Sequence, residues 1–342
     1  MNVKATMRDV ARKSGVSVAT VSRVINFPGE VRQETVETVN AAMRVLNYRP
    51  NINGRRLKAA QSRSIGVLVP TLSNPVFADS VQGIEQEARA AGLTVLLTAS
   101  NYNADHEAKA VSTLLDNRVD GLILTVTNAD DSPVVRMLTR ENIPFVLLYN
   151  QPANPDIAAV SVDNAQSAYD LTGHLLAAGH RSFAMVAGRF SSSDRSRQRY
   201  EGFARALAGA GIVDAPLIEV GFEDTNLEDV LTGILRGGNP VTALVCSNDI
   251  LAITAIGACR KLGLRVPDDV SVAGFDGIAV GGLIQPKLCS VVQPTHEMGR
   301  QALTLLRGLI KGEAKPRSLL LPHYLSEGES IGPSRLVTSR PL

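Results

Sequence analysis

The sequence predicts a small all-α head followed by an α/β body that consists of two doubly wound parallel-sheet lobes. The first 63 residues are strongly basic and contain two short helical patterns separated by a glycine. From Ile65 onward, short apolar runs alternate with helical patterns. Apolar strands that alternate with helices are typical of parallel sheets covered by helices on both faces. A chain of 342 residues is long enough for two or three domains.

The head begins with two predicted helices around a tight turn. Thr6 and Asp9 have the spacing of a capping box at a helix start, and Gly15 ends that helix. Ser17 can cap a second helix that runs to about Asn26. This pattern indicates a helix-turn-helix, whose second helix enters the major groove of DNA. An ordinary helical hairpin in a protein core is the alternative.

The second helix carries candidate base-reading side chains. Val18, Ala19 and Ser22 lie near its start, and Arg23 can donate to O6 and N7 of guanine. A third helix, from about residue 33 to residue 47, is expected to close the head because its apolar residues recur at helical spacing.

A short basic segment, residues 52–60, follows the head. Its Leu57 stands between Arg56 and Lys58. An apolar side chain flanked by basic ones suggests a wedge that enters the minor groove between base pairs. A surface leucine without a role is the alternative.

Charge is distributed unevenly along the chain. Residues 1–63 carry 12 Lys and Arg against four acidic residues, a net charge of +8, which leaves −6 on the remaining 279 residues. A basic head on a mildly acidic body is typical of a nucleic-acid-binding domain joined to a second domain with another task.

Three further features concern the compartment of the protein. The three cysteines are widely spaced in apolar surroundings, which indicates buried, reduced thiols without disulfides or a metal set. The N-terminus lacks the pattern of a signal peptide, and no apolar run reaches membrane-spanning length. We therefore expect a cytoplasmic protein with no membrane partner.

Polar residues stand where several predicted strands end. They are Thr125, Asn150, Asn248 and Asp276. Because the carboxyl ends of parallel strands meet at one edge of a sheet, these residues can ring a cleft and bind a polyhydroxylated ligand. Phe77 and Phe222 can supply aromatic faces for a ligand ring. Helix caps and loop residues without a ligand are the alternative.

Two arginines near a predicted helix start suggest an anion site. Arg195 and Arg199 are four residues apart, so they share one helix face. Guanidinium groups near a helix N-terminus bind anions well. A surface salt-bridge set with Asp194 and Glu201 is the alternative.

No catalytic signature is present in the sequence. It contains no nucleophile elbow, zinc-protease motif, phosphate-binding loop or dinucleotide fingerprint in a suitable context. We therefore expect no enzyme activity, no metal and no cofactor. Two other classes of protein are the alternatives: an enzyme fused to a DNA-binding head, which needs such a motif, and a secreted transport protein, which needs a signal peptide in place of the basic head.

Ordered motifs along nearly the whole chain resemble the LacI/GalR family of bacterial transcription regulators. The motifs are Asp9-Val10-Ala11, Gly15-Val16-Ser17, Thr20-Val21-Ser22-Arg23-Val24-Ile25-Asn26, Asn47-Tyr48-Arg49-Pro50-Asn51, Ile65-Gly66-Val67, Gly121-Leu122-Ile123, Gly179-His180, Ser247-Asn248-Asp249 and Val266-Pro267-Asp268-Asp269-Val270-Ser271. The resemblance implies a homodimer that binds a near-palindromic DNA operator, with one head per half-site. It also implies a body of periplasmic-binding-protein type that takes a small-molecule effector.

The resemblance implies a domain division for this chain. Residues 1–50 are the helix-turn-helix domain, 51–63 the hinge helix and linker, and 64–342 the effector-binding and dimerisation domain. The two implied lobes are residues 64–163 with 294–323, and residues 164–293 with 324–342. The chain ends without a leucine heptad tail, so tetramers through such a tail are not expected.

Site residues follow from the motifs and from the resemblance together. The predicted DNA contacts are Thr6, Ser17, Val18, Ala19, Thr20, Ser22, Arg23, Asn26, Asn51, Gly54 and Leu57. The predicted effector contacts are Phe77, Thr125, Tyr149, Arg195, Arg199, Phe222, Asn248 and Asp276. No residue is assigned to catalysis or to a metal.

Three residues depart from the family pattern. Gly54 replaces the usual Ala of the hinge helix, which weakens that helix by about 1 kcal/mol. Arg32 replaces the usual capping Ser before the third helix. Tyr149 stands where sugar-binding members often carry Asp, which together with Arg195 and Arg199 favours a sugar acid or sugar phosphate as effector. A neutral sugar or another metabolite is the alternative, as is a regulator that needs a co-repressor or activates transcription.

Overall fold

The computed structural model describes residues 5–48, 62–222, 226–238 and 240–334, in two units, Met1–Ser62 and Arg63–Leu342. The first unit contains helices α1 (Met7–Ser14), α2 (Val18–Asn26) and α3 (Gln33–Val45), with a short 3-10 turn at Pro28–Glu30. The predicted hinge lies outside the described residues, and with it the predicted DNA contacts Asn51, Gly54 and Leu57.

Local hydrogen bonds fix the starts and ends of the head helices as the sequence predicts. The hydroxyl of Thr6 accepts from the Asp9 N–H at 3.3 Å, and Asp9 Oδ2 accepts from the Thr6 N–H at 2.9 Å, which completes a capping box. Gly15 ends α1 in the left-handed conformation with φ of 70°. Ser17 Oγ accepts from the Thr20 N–H at 3.0 Å and starts α2.

One apolar core joins the three head helices. Its buried side chains are Val10, Ala11, Val21, Val24, Val39 and Ala42. They come from all three helices, so the head is a helix-turn-helix closed by a third helix, which confirms the prediction. Arg32 makes no side-chain cap to α3, since it offers no acceptor. The stability of the head therefore depends on this small core.

We expect Val39→Ala to destabilise the head by about 2 kcal/mol, because it removes two buried methyl groups and leaves a cavity. Val45→Ala is the control, since Val45 is 69% exposed at the end of the same helix. Hydrogen exchange of the head amides in the full chain measures the change. Equal protection in both variants would contradict this account of the core.

The body contains two six-stranded sheets, one in each lobe. The first sheet consists of β1 (Ser64–Val69), β2 (Thr94–Ala99), β3 (Gly121–Leu124), β4 (Phe145–Leu148), β5 (Ala159–Ser161) and β11 (Ser318–Leu320). The second consists of β6 (Phe183–Gly188), β7 (Leu217–Val220), β8 (Ala243–Cys246), β9 (Ser271–Asp276), β10 (Cys289–Val292) and β12 (Tyr324–Leu325). Their strand orders are β11-β5-β4-β3-β1-β2 and β12-β10-β9-β8-β6-β7, and β12 alone of these strands pairs antiparallel.

Helices cover both sheets. They are α4 (Pro75–Ala90), α5 (Ala104–Asp116), α6 (Pro133–Arg140), α7 (Asn164–Ala177), α8 (Asp194–Gly209), α9 (Glu228–Leu235), α10 (Asp249–Lys261) and α11 (Thr295–Lys311). The chain passes between the sheets three times, after β5, after β10 and after β11. No helix within the described ranges combines the length and the apolar character that a membrane crossing requires.

The strand order explains where a ligand site can form. In each sheet the order reverses beside the first strand of the lobe, β1 or β6, and loops that follow the strands there diverge to opposite faces. Crevices at such switch points are the usual ligand sites of open α/β sheets. The cysteines Cys246, Cys259 and Cys289 are buried free thiols in the second lobe.

Candidate functional site

A cleft lies between the strand ends of the two lobes, and its empty space of about 330 Å³ includes open solvent. The first lobe contributes Asn74, Val76, Phe77, Tyr102 and Tyr149 to its lining. The second contributes Ser193, Arg195, Ser196, Arg199, Phe222, Asn248, Asp276 and Gln293.

The structure brings together seven of the eight predicted effector contacts in this lining. The exception is Thr125, which is buried and donates from its hydroxyl to the Leu148 carbonyl at 3.0 Å. The strand-end rule placed Thr125 near the edge of the sheet, but its hydroxyl bonds to the neighbouring strand. Asn150, the other strand-end candidate of this lobe, is also buried beside the cavity lining.

Sequence reasoning did not select six of the lining residues, namely Asn74, Val76, Tyr102, Ser193, Ser196 and Gln293. Asn74 and Ser193 cap α4 and α8. A rule that also collected the caps of helices following strands would have found both. Tyr102 gives no such signal, because it lies in a turn after β2.

Arg199 makes three polar contacts at the cavity. Its Nε donates to Asn164 Oδ1 at 2.9 Å, and its Nη1 donates to the Ser247 carbonyl and lies 3.4 Å from Asp276 Oδ1. The guanidinium also lies over the ring of Phe275, with 3.5 Å between Cζ and the ring centroid. Burial lowers the pKa of Arg199 to about 10, so the group stays charged at neutral pH.

Asp276 links Arg199 to both lobes. Its Oδ1 accepts from Gln293 Nε2 at 2.9 Å, and its Oδ2 accepts from Asn74 Nδ2 of the first lobe at 3.3 Å. Burial raises the pKa of the Asp276 carboxyl, while the neighbouring Arg199 opposes that rise. Its backbone has φ of 121°, a conformation that costs a non-glycine residue roughly 1–3 kcal/mol and clusters at functional sites.

A second polar cluster joins the start of α8 to the first lobe. Asp194 Oδ2 accepts from the Ala129 N–H at 2.9 Å and from Asn150 Nδ2 at 2.8 Å. Arg195 Nη1 donates to the Val126 carbonyl at 2.8 Å and lies 3.3 Å from Asp194 Oδ1. Arg195 and Asp194 therefore do form a salt bridge. It is buried between the two lobes, however, and does not lie on the surface.

Glu107 on α5 lies buried beside this cluster. Its Oε1 accepts from the Thr127 N–H at 2.7 Å. Burial raises the pKa of Glu107 to about 7, and the positive charge of Arg195 limits the rise.

Aromatic rings form the walls of the cavity. The rings of Tyr102 and Phe222 are stacked, with centroids 4.1 Å apart and planes at 15°. Phe77 meets Tyr149 edge to face at 5.3 Å. Tyr149 is buried and donates from its hydroxyl to the Val76 carbonyl at 2.8 Å, and burial raises its pKa above the ordinary range.

The described part of the second helix presents the predicted DNA contacts on its outer side. Val18, Ala19 and Arg23 are exposed, whereas Val21 and Val24 of the same helix are buried in the head core. Arg23 has no ion-pair partner in the part of the chain that the structure describes. The remaining candidates, Thr6, Ser17, Thr20, Ser22 and Asn26, are exposed or half-buried.

Two of the half-buried candidates are held in place by local bonds. Asn26 Nδ2 donates to the Ser22 carbonyl at 2.8 Å, and the hydroxyls of Ser17 and Thr20 lie 2.8 Å apart.

Across the described ranges, no group of three His, Cys, Asp or Glu side chains is arranged to hold a metal ion.

Comparisons with known proteins cover both units. The family of bacterial regulatory proteins of the lacI type matches residues 6–51, and the family of periplasmic binding proteins and the sugar-binding domain of the LacI family matches residues 62–329. The chain therefore belongs to the LacI family. It is a DNA-binding transcriptional repressor of that family with a sugar-binding domain, and not an enzyme.

Curated relatives match along almost the whole chain. Catabolite control protein A of Priestia megaterium is 31% identical over 333 residues, which cover 96% of this chain and 99% of the relative. The transcriptional regulator GntR of Escherichia coli is 33% identical over 330 residues, with 96% and 99% covered. The repressor PurR of Serratia proteamaculans is 33% identical over 340 residues, with 98% and 99% covered.

Solved structures agree with the fold. The lac repressor dimer bound to operator and the anti-inducer ONPF has a TM-score of 0.86 and 30% identity, and the match covers 96% of this chain and 100% of that one. The regulator CelR in complex with cellobiose has a TM-score of 0.71 and 28% identity, with 95% and 99% covered.

We expect the stability of the protein to depend on the charge state of Glu107. Because its pKa rises on folding from about 4.5 to about 7, it stabilises the fold when protonated, fully below pH 4.5, and this contribution is lost as pH rises through 7. Glu107→Gln keeps the acceptor for Thr127 and should remove up to about 3 kcal/mol of this dependence. Urea unfolding of the full chain at pH 5 and pH 8 measures it. Identical pH dependence in wild type and variant would refute the claim.

Proposed function

We propose that the protein binds a near-palindromic operator as a homodimer and that an acidic carbohydrate, a sugar acid or a sugar phosphate, binds the body cavity and changes operator affinity. Operator binding follows from membership of the LacI family. The choice of an acidic carbohydrate as effector depends on the hydrogen-bonding groups that face the cavity. Control of carbohydrate or sugar-acid metabolism genes is the matching biological role.

Hydrogen-bond donors without an acceptor at the cavity are the main support for an acidic effector. Arg199 uses Nε and Nη1, and Arg195 uses Nη1; within the described residues, the other guanidinium N–H groups and Asn248 Nδ2 have no hydrogen-bond acceptor. The carboxylate of Asp276 already accepts from three side chains, including Gln293. A cavity with spare donors is complementary to a ligand group that only accepts, such as a carboxylate or phosphate.

Spare donors, and not net charge, support an anion here. Each arginine is paired with a carboxylate, Asp194 or Asp276, so the local charge is nearly balanced. A ligand anion bonded to the remaining N–H groups would share each guanidinium with its resident carboxylate. Buried guanidinium groups bind carboxylates and phosphates strongly because their planar forks donate two parallel bonds.

The aromatic walls support a ring-shaped ligand. Only 14 residues of the chain are Phe or Tyr and none is Trp, yet four of the 14 line this cavity. Apolar and aromatic walls with a few polar groups are typical of sites for small organic ligands. A carbohydrate ring offers apolar C–H faces to such walls and hydroxyls to Asn248, Asp276 and Gln293.

A neutral sugar is the second candidate. The balanced charge of the two ion pairs favours it, since hydroxyl groups also accept from arginine. The complex of CelR with cellobiose is a precedent in a structural relative. Effectors of either kind can release the repressor from DNA or act as co-repressors, and an activating response is the remaining possibility.

Calorimetric titration of the full chain with D-gluconate, D-glucose 6-phosphate and D-glucose tests the effector class. We expect an acidic ligand to bind and Arg199→Ala to weaken it roughly 30-fold or more, because a buried charged bond is lost. Arg205→Ala is the matched control, since Arg205 lies on the same helix and bonds Gln166 on the exposed surface. Because Arg199→Ala leaves Asp276 unpaired, the double variant Arg199→Met with Asp276→Asn separates misfolding from lost binding.

Binding of D-glucose alone would discard the acidic class and leave the repressor assignment unchanged. An unaltered response in Arg199→Ala would remove this residue from the effector site. Operator affinity measured with and without the bound ligand then distinguishes an inducer from a co-repressor.

We expect Arg23→Ala to weaken binding to the specific operator by about 1–3 kcal/mol, because a bidentate contact to guanine is lost. The operator is selected from a random-sequence library, and fluorescence anisotropy measures specific and non-specific DNA at one salt concentration. Arg12→Ala serves as control, since Arg12 lies on α1 and pairs with Asp9. An equal loss on both DNAs would show that Arg23 contacts phosphate and not a base.

A further inference from the structure

The stacked rings of Tyr102 and Phe222 bridge the two lobes at the cavity wall. Tyr102 follows β2 of the first lobe, and Phe222 follows β7 of the second. With centroids 4.1 Å apart and planes at 15°, the rings are in direct contact. No third ring fits between them, because two successive stacks need about twice that spacing.

The other face of Phe222 is covered as well. A Cβ atom built on Gly188 would lie 2.1 Å from Phe222 Cζ and 2.4 and 2.6 Å from the two Cε atoms. Because the three distances are nearly equal, the glycine backbone lies over the ring face and not beside its edge. The Gly188 backbone and a stacked ring do not both fit over one face of Phe222, so we infer that Tyr102 covers the opposite face.

The backbone places Tyr102 at this position against local preference. Asn101 and Tyr102 both adopt left-handed conformations, with φ of 52° and 56°. Consecutive non-glycine residues in this region are uncommon, and conformations of this kind cluster at functional sites. Backbone bonds hold the turn, since the Asn101 N–H donates to the Pro70 carbonyl at 2.7 Å and the Asn103 N–H donates to the Ser100 carbonyl at 3.2 Å.

We propose that Tyr102 is an internal competitor for the ligand: it covers the stacking face of Phe222 and must leave that face when a ligand ring binds. This inference rests on the proposed effector site and names a residue that sets its affinity and selectivity. Every ligand that stacks on Phe222 separates Phe222 from Tyr102. A ligand therefore binds well only if its contacts stabilise the complex by more free energy than the lost ring stacking contributed. Tyr102 thereby rejects weakly stacking molecules.

The ligand-free half of the proposal is tested by fluorescence. The chain contains no tryptophan, so Phe222→Trp introduces a single reporter at the stack. Adding Tyr102→Ala should raise the acrylamide quenching constant of the introduced indole about twofold or more, because one ring face opens to solvent. Tyr324→Ala is the control, because Tyr324 is 64% exposed and does not line the cavity. Unchanged quenching in the Tyr102→Ala background overturns the proposal.

The competition is tested by titration of the full-length protein with D-gluconate and D-glucose 6-phosphate. Tyr102→Ala should raise the affinity for the ligand that binds roughly three- to tenfold, whereas Tyr102→Phe, which keeps the ring over Phe222, should change the affinity by less than Tyr102→Ala does. A lower affinity of Tyr102→Ala overturns the proposal, because Tyr102 would then be a direct ligand contact. If neither compound binds any variant, the proposed effector class fails, and the quenching result alone decides the role of Tyr102.

Discussion

The buried ion pair between Arg199 and Asp276 is the interaction on which the geometry of the cavity depends. A guanidinium in this position stays charged only because Asn164, the Ser247 carbonyl and Asp276 accept its N–H groups and Phe275 lies beneath it. Removal of one partner from such a pair leaves an uncompensated buried charge, which is strongly destabilising. The pair thus fixes the ends of β8 and β9 and the starts of α7 and α8 relative to one another.

The same pair connects the lobes. Asp276 bonds Asn74 of the first lobe, Asp194 bonds the Ala129 N–H, and Tyr102 stacks on Phe222. A ligand that bonds to these groups competes with contacts between the lobes, so its binding free energy depends on how the lobes are arranged. A ligand shifts a conformational equilibrium only by such a difference in affinity. In the function we propose, this difference couples the effector to operator binding, and the coupling is reciprocal.

The features that sequence reasoning predicted are local ones. The capping box of Thr6 and Asp9 and the cap by Ser17 depend on spacings of three residues, and all are present. Asn248 and Asp276 could be predicted from the sequence, because each follows an apolar strand pattern and the carboxyl ends of parallel strands meet at one edge of the sheet. Thr125 shows the limit of that rule, since its hydroxyl bonds to Leu148 of the next strand.

Features that need distant partners escaped prediction. Tyr102 stacks on Phe222 of the other lobe, which is 120 residues away in the chain. The left-handed backbone of Asn101 and Tyr102, two non-glycine residues, gives no clear signal in the sequence. The packing of the Phe222 ring against the Gly188 backbone likewise depends on the close approach of two segments that are distant in the chain. The paired state of Arg195 with Asp194 was an open alternative, because spacing alone does not distinguish a surface pair from a buried one.

A crystal structure of the protein with D-gluconate or D-glucose 6-phosphate bound is the most direct test of the central claim. We predict that the acidic group lies within hydrogen-bond distance of Nη2 of Arg199 or the unused N–H groups of Arg195, while Arg199 keeps its pair with Asp276. A ligand whose acidic group points to solvent, with only hydroxyls against both arginines, would contradict it.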